Sequence, residues 1–212
     1  MEFDEVVRRR RMIRGYDPER PVPPELIDKI VRHGLRAPSA GFSQGWGFLV
    51  LTSPADRDRF WSSTAYGAGD PGGWLDRMRT APLIIVALSN KSVYLDRYAE
   101  SDKGWTDRDE ARWPVPYWDI DTGFAALLMH LTAVSEELGS CFFGVPADRV
   151  RDFRAAFGVP EEFTPVGALT VGYPGTDKRS PSLKRGHRPV DDVVHHGRWA
   201  PAGPAPSASG EA

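Results

Sequence analysis

Four consecutive arginines, Arg8 to Arg11, followed by Arg14 bring five cations into seven residues near the start of the chain. Arginine presents a fixed fork of N–H donors that stays charged, so such a cluster suits a phosphate. The competing reading is a solvated helix end, whose cations favour the C-terminal dipole. On a helix, only Arg10 with Arg14, or Arg11 with Arg14, could share one anion. Arg8 and Arg9 are expected to be solvated. A second basic cluster, Lys184, Arg185, His187 and Arg188, lies near the other end of the chain. A nucleic-acid tail is disfavoured, because Glu2, Asp4, Glu5, Asp17 and Glu19 offset the charge.

Two further segments could do chemistry. Ala37 to Phe48 is a run of small and hydroxyl residues, and Ser39, Ser43 and Gln44 within it offer neutral hydrogen-bonding groups. Such a loop lets backbone approach a flat ligand closely. Residues 91–119 form a long stretch rich in aromatics, with Tyr94, Tyr98, Trp105, Trp113, Tyr117 and Trp118. Without strong periodicity it reads as a lid or binding loop, or as a contact between subunits. His130 lies inside the long helix and reads as a core or interface histidine, whereas His195 and His196 read as surface residues. The single cysteine, Cys141, excludes an internal disulfide and any multi-cysteine metal site, and reads as structural.

These groups need a scaffold. With 212 residues and a net charge of −2, the chain fits one domain over residues 1–199 and has no global attraction for nucleic acid. From Ala200 onward the composition reads as a disordered tail. No apolar run approaches the ~18 residues that span a bilayer, and the N-terminus has no apolar signal core, so a soluble cytoplasmic protein is expected. Helical spacing predicts helices from Pro24 to Leu35, from Pro54, around Trp74–Met78, and from Ala147 to Phe157. The strongest helix carries Ile120, Phe124, Leu127, Leu128, Leu131, Val134 and Leu138, with Asp121 or Thr122 as cap and Gly139 as stop. Strands are expected at Phe48–Leu51, Leu83–Leu88 and Val166–Gly172, with a short apolar run at Cys141–Gly144. About four interspersed strands make α+β the expected class.

Four motifs in order carry a resemblance. Arg10-Arg11-Met12-Ile13-Arg14-Gly15-Tyr16-Asp17 and Ala37-Pro38-Ser39 through Gln44-Gly45-Trp46 resemble the flavin-binding start of the nitroreductase family. Leu138 to Gly144 is similar to that family's glycine-rich flavin loop, and Val171 to Pro174 with Arg188 to His195 resembles its closing segment. The resemblance covers residues 5–199. It implies an α+β fold with a central mixed or antiparallel sheet flanked by helices, in an intertwined homodimer with FMN at the interface. It implies that Arg10, Arg11, Met12, Arg14, Arg185 and Arg188 surround the phosphate and ribityl end. Ser39 and Gln44 would line the flavin from the partner subunit or its edge, and Phe143 and Gly144 would lie beside the ring. The sequence departs from the family at Met12, usually serine, at Phe42, often asparagine, and at Gly45, often proline.

The implied activity is hydride transfer from NAD(P)H through FMN to an electron-poor acceptor such as a nitroaromatic, quinone or enone. No side chain is expected to act as catalyst, because the flavin carries the chemistry. Phe42, Tyr94, Trp113 and Tyr117 are the expected substrate contacts, and no metal is expected. The alternatives are a flavin-storing protein with little turnover, or a dehydrogenase of a specialised metabolite.

Overall fold

A computed structural model describes residues 1–65, 73–178 and 180–199. The chain divides into two compact units, residues 1–178 and residues 179–212, and each is described by itself. The expected tail from Ala200 lies outside the described residues.

The first unit is built on four strands: β1 (Trp46–Leu51), β2 (Leu83–Asn90), β3 (Gly139–Phe143) and β4 (Phe163–Gly172). They lie in the order β1-β2-β4-β3, and every pairing is antiparallel. The α+β expectation holds, with the sheet purely antiparallel. Strand β2 is buried along its whole length, which is why its sequence is a continuous apolar run rather than an alternation. Its side chains alternate between two cores. Ile84, Val86 and Leu88 join Phe60, Trp61, Met78 and Phe153 on one face. Leu83 and Ile85 join Ile30, Met129, Ala133, Leu169 and Val171 on the other. Helices α3 (Pro54–Thr64), α4 (Trp74–Met78) and α7 (Val150–Phe157) contribute to the first core. Helices α2 (Pro24–Gly34) and α6 (Tyr117–Ser135) contribute to the second. Opposite Ala87 and Leu88, strand β4 places Gly167 and Pro165, so Val166 is the extra residue of a bulge. Pro165 has no N–H for the ladder, and the irregularity falls beside it.

Three sequence expectations change. The first helix, α1 (Phe3–Arg9), stops before the arginine cluster is complete, and Arg10 already has extended-type backbone. Arg10, Arg11 and Arg14 therefore do not share a helix face. Second, α6 begins at Tyr117, not at a cap on Asp121 or Thr122. Both are buried inside the helix: Thr122 donates back to the Trp118 carbonyl, and the Asp121 carboxylate reaches out of the helix. The helix ends at Ser135, and Gly139, the expected stop, opens β3 instead. Third, residues 91–119, which lack strong periodicity in sequence, contain regular structure. They begin with α5 (Lys91–Ala99), whose N-terminus is capped by the Asn90 side chain.

Among the described residues, no helix is long and apolar enough to cross a membrane.

Candidate functional site

Beyond α1 the arginine segment runs extended along the edge strand β3. Met12 bridges Ser140 in parallel register, and the Ile13 N–H donates to the Ser140 carbonyl at 2.9 Å. Ile13 is buried against Gly139, where a Cβ would lie 2.8 Å from the Ile13 side chain, so glycine permits the close approach. The Tyr16 hydroxyl donates to the Ile13 carbonyl at 2.5 Å and contacts the Thr170 hydroxyl at 2.8 Å. Burial holds that phenol protonated far above its ordinary range. Downstream, the Arg14 N–H donates to Asp177 at 3.3 Å. The arm is thus fixed by backbone, and its cationic side chains are left over. Arg8 is bound in a fork by Glu5 (2.7 Å), and Arg9 lies 4.0 Å from the same carboxylate. Among the described residues, the guanidinium groups of Arg10, Arg11 and Arg14 have no ion pair and no hydrogen bond.

Beneath this arm lies the histidine expected in the core or at an interface. His130, on α6, is 3% exposed and its Nδ1 contacts the Ser140 hydroxyl at 2.5 Å, while its Nε2 has no partner among the described residues. Burial, and secondarily Arg10, pull the imidazole down from 6.5 to about 4. Because the folded value lies below the unfolded one, the neutral ring favours the fold. Its contribution is complete above pH 6.5 and is lost as pH falls toward 4. Urea unfolding at pH 7 and about pH 4.5 should therefore show about 2–3 kcal/mol of acid destabilisation from this group. His130→Gln should abolish that component and leave the rest of the acid limb.

The Ser39–Gly45 loop has an unusual backbone. Gly41, Phe42 and Gln44 all have positive φ, at 60°, 56° and 53°. Phe42 and Gln44 pay a steric cost that glycine does not. The loop is closed internally: the Gln44 N–H donates to the Ser39 hydroxyl at 3.0 Å, and the Ser43 hydroxyl to the Ala40 carbonyl at 2.6 Å. It is also held from outside, by the Asp121 carboxylate accepting from the Ala40 N–H at 2.8 Å. Phe42 is left 76% exposed, and Gln44 is exposed beside it.

The remaining expected residues fall in different places. Phe143 ends β3, but its ring is stacked on Trp61 in the first core, at 5.6 Å between centroids. What this end of β3 offers outward is backbone, continuing into the exposed Gly144. Tyr94 is fully buried and its hydroxyl donates to Asp121 at 2.9 Å, so it does not line an open face. That corrects its expected place among the substrate contacts. Trp113 is half-buried against Tyr98 and Trp105, and its indole N–H has no partner among the described residues. Tyr117 is exposed at the start of α6. In the second unit, Arg185 closes a short 3₁₀ turn and Arg188 donates to the Asp192 carbonyl at 3.0 Å; both are exposed.

Within one chain these residues form two groups. The arm, Phe143 and Gly144 belong to β3 at one edge of the sheet, whereas the Ser39–Gly45 loop leads into β1 at the other. Three strand spacings, about 14 Å, separate the edges. Asp121, read from sequence as a possible cap, is a carboxylate inside an apolar helical pattern, a place where burial demands partners.

Comparison with known proteins gives a consistent picture. A protein from Methanothermobacter thermautotrophicus, named "Putative NADH dehydrogenase/NAD(P)H nitroreductase", is 28% identical over 201 residues, 94% of this chain and 88% of its own. A nitroreductase family protein from Clostridium difficile 630 shares the fold with a TM-score of 0.68 at 22% identity, covering 94% of this chain and 100% of that one. An FMN-dependent nitroreductase from Clostridium difficile R20291 does so with a TM-score of 0.65 at 22% identity, covering 92% and 98%. The family model described as "Nitroreductase family" matches residues 7–173, and the chain belongs to the nitroreductase family.

Proposed function

We propose that this chain is an FMN-dependent NAD(P)H oxidoreductase that reduces a planar, electron-poor acceptor such as a nitroaromatic, quinone or enone. The observation that carries the reading is the arm along β3, with three arginines that have no counter-ion among the described residues. A dianionic phosphate is the natural complement to such a set. The residues fit FMN. Arg10, Arg11 and Arg14 would grip its phosphate, with Met12 between them tied to Ser140. The backbone of Phe143 and Gly144 would offer donors to the ring, and the space beside Gly144 is open, since a Cβ there would meet nothing within 4 Å.

Bound there, FMN would supply hydride chemistry, taking reducing equivalents from NAD(P)H and passing them to the acceptor in ping-pong order. The chain's own part is to bind, orient and stabilise. Cations and oriented N–H groups favour negative charge where it gathers in the site. No side chain is assigned as acid or base. His130 is buried against Ser140, and burial raises the Cys141 thiol, which disfavours a thiolate.

The two groups of residues on opposite sheet edges favour a homodimer in which each site takes the arm from one chain and Ser39 and Gln44 from the other. The exposed face of α6 supports it: Tyr117, Phe124 and Leu127 are 37%, 44% and 48% exposed. The side of α6 toward the sheet is built instead from Ala125, Ala126, Met129 and Ala133. A helix apolar on both sides calls for cover on both. Phe42, Trp113 and Tyr117 would then contact the acceptor, and the supply of NAD(P)H suits a cytoplasmic location.

Anaerobic titration tests the reading. The purified protein should release FMN on heating, and NADH or NADPH should bleach its yellow absorbance until an added quinone restores it. Bound flavin that neither donor bleaches would sink the reductase reading and leave a binding protein.

A further inference from the structure

A lid was one of the expectations for residues 91–119, beside a binding loop and a subunit contact, and their contacts do not suit a lid. Tyr94, Tyr98, Trp105, Trp113 and Trp118 form one ring cluster, with centroid separations of 4.6–6.4 Å. Ion pairs bind its outer turns: Arg97 to Asp102 at 2.7 Å, Arg112 to Asp107 at 2.6 Å, and Lys91 to Glu110 at 2.6 Å. The segment is also joined to the Ser39–Gly45 loop. The Arg97 Nε donates to the Gly41 carbonyl at 2.9 Å. Asp121, 3% exposed, accepts from both the Tyr94 hydroxyl and the Ala40 N–H. Two rings press on the loop's glycines: a Cβ on Gly41 would lie 2.7 Å from Tyr98, and one on Gly45 2.6 Å from Tyr94. Lifting the segment away would bare the ring cluster and strip a donor from a buried carboxylate, both of which oppose opening.

The loop needs such support. Two non-glycine residues with positive φ persist only where their surroundings over-determine them. The internal hydrogen bonds close the loop on itself but do not orient it against the body. The contacts that do so come from α5 and α6, through Arg97, Tyr94 and Asp121, and from the Asn90 N–H donating to the Gly45 carbonyl at 2.7 Å.

We propose that residues 91–119 are a fixed brace rather than a closing lid, and that Tyr94, Arg97 and Asp121 are positioning residues that hold the Ser39–Gly45 loop in its strained form and so set where Phe42 and Gln44 project. The link from loop geometry to acceptor choice rests on the oxidoreductase reading above; the brace itself does not. A specificity change would thus follow from variants that never touch the acceptor.

Hydrogen–deuterium exchange on flavin-free protein separates the two. In the wild type, peptides covering residues 39–45 and the ring cluster should both exchange slowly. Tyr94→Phe removes one donor to Asp121, and Arg97→Gln removes the link to Gly41 at a partly exposed position on the surface of the segment. Each should speed exchange over residues 39–45 roughly tenfold, the worth of one hydrogen bond, with β2 and β4 unchanged. Asp121→Asn keeps an acceptor for Ala40 and should rescue most of the protection that Asp121→Ala loses. With FMN and NADH, the same two variants should raise KM for a quinone more than they lower kcat. Unchanged exchange over residues 39–45 in both variants would overturn the proposal. So would a wild-type ring cluster that exchanges as fast as a free loop. Accelerated loop exchange in a protein that binds no flavin would keep the brace and discard the oxidoreductase reading.

Discussion

Replacing Arg10, Arg11 and Arg14 together by alanine should abolish FMN binding at micromolar concentrations while leaving the chain folded. Each charge-assisted contact contributes about 1.5–3 kcal/mol, so losing all three weakens affinity by about 10³–10⁶-fold. The contrast within the same cluster makes the result decisive. Arg8, held by Glu5 in a fork, should be replaceable without effect, although it lies only two residues from Arg10. Stability should change little, because no ion pair among the described residues is lost and the arm is anchored by backbone bonds from Ile13 and Arg14. Flavin fluorescence quenching reads the affinity, and the shift in melting temperature on adding FMN reads it independently, since a ligand that binds only the folded state stabilises by mass action. An intact shift in the triple variant would remove the arm from the site. So would an Arg8→Ala variant that loses as much as the others.

The same five arginines show where sequence reasoning reached and where it stopped. Their types admitted an anion site beside a solvated helix end, and the division between Arg8 with Arg9 and the later three follows in the structure from a single acid, Glu5, one helical turn away. Their geometry was not legible. Helical spacing suggested shared faces, but the helix stops at Arg9 because the chain turns to pair with β3, a contact 128 positions downstream at Ser140. Strand β2 was readable for the opposite reason: burial on both faces leaves its mark as an unbroken apolar run. The start of α6 was misread because Asp121 and Thr122 are good caps by type, whereas their partners here are a distant loop and the helix's own carbonyl. Tyr94 and Trp113 were recognised as a functional group of aromatics, yet whether a ring faces a ligand or a neighbouring ring depends on tertiary packing that composition does not encode. The positive φ of Phe42 and Gln44 is likewise invisible in sequence, since neither residue type favours it.

Introducing aspartate at both Phe124 and Leu127 should convert a dimer to monomers and, with them, release FMN that the arginine arm alone does not retain. The two side chains are 44% and 48% exposed in the single chain, so about half of each remains to be buried by a partner. At about 1 kcal/mol for each such half, a two-fold interface that uses both residues twice gains about 4 kcal/mol, roughly a thousandfold in the dimer dissociation constant. Carboxylates in their place must also be desolvated, which widens the gap further. The chain itself should remain folded, because the side of α6 that packs on the sheet is a different set of residues, Ala125, Ala126, Met129 and Ala133 among them. Light scattering gives the mass, and the flavin content of the same fractions gives the occupancy. If the variant is monomeric but keeps its FMN, then Ser39 and Gln44 of a second copy are not needed, and the site lies on one edge of one sheet. If it stays dimeric, α6 is not the contact surface, and its exposed stripe serves something else. Only joint loss of mass and flavin fits a site that two sheet edges, about 14 Å apart in one chain, assemble across a two-fold axis.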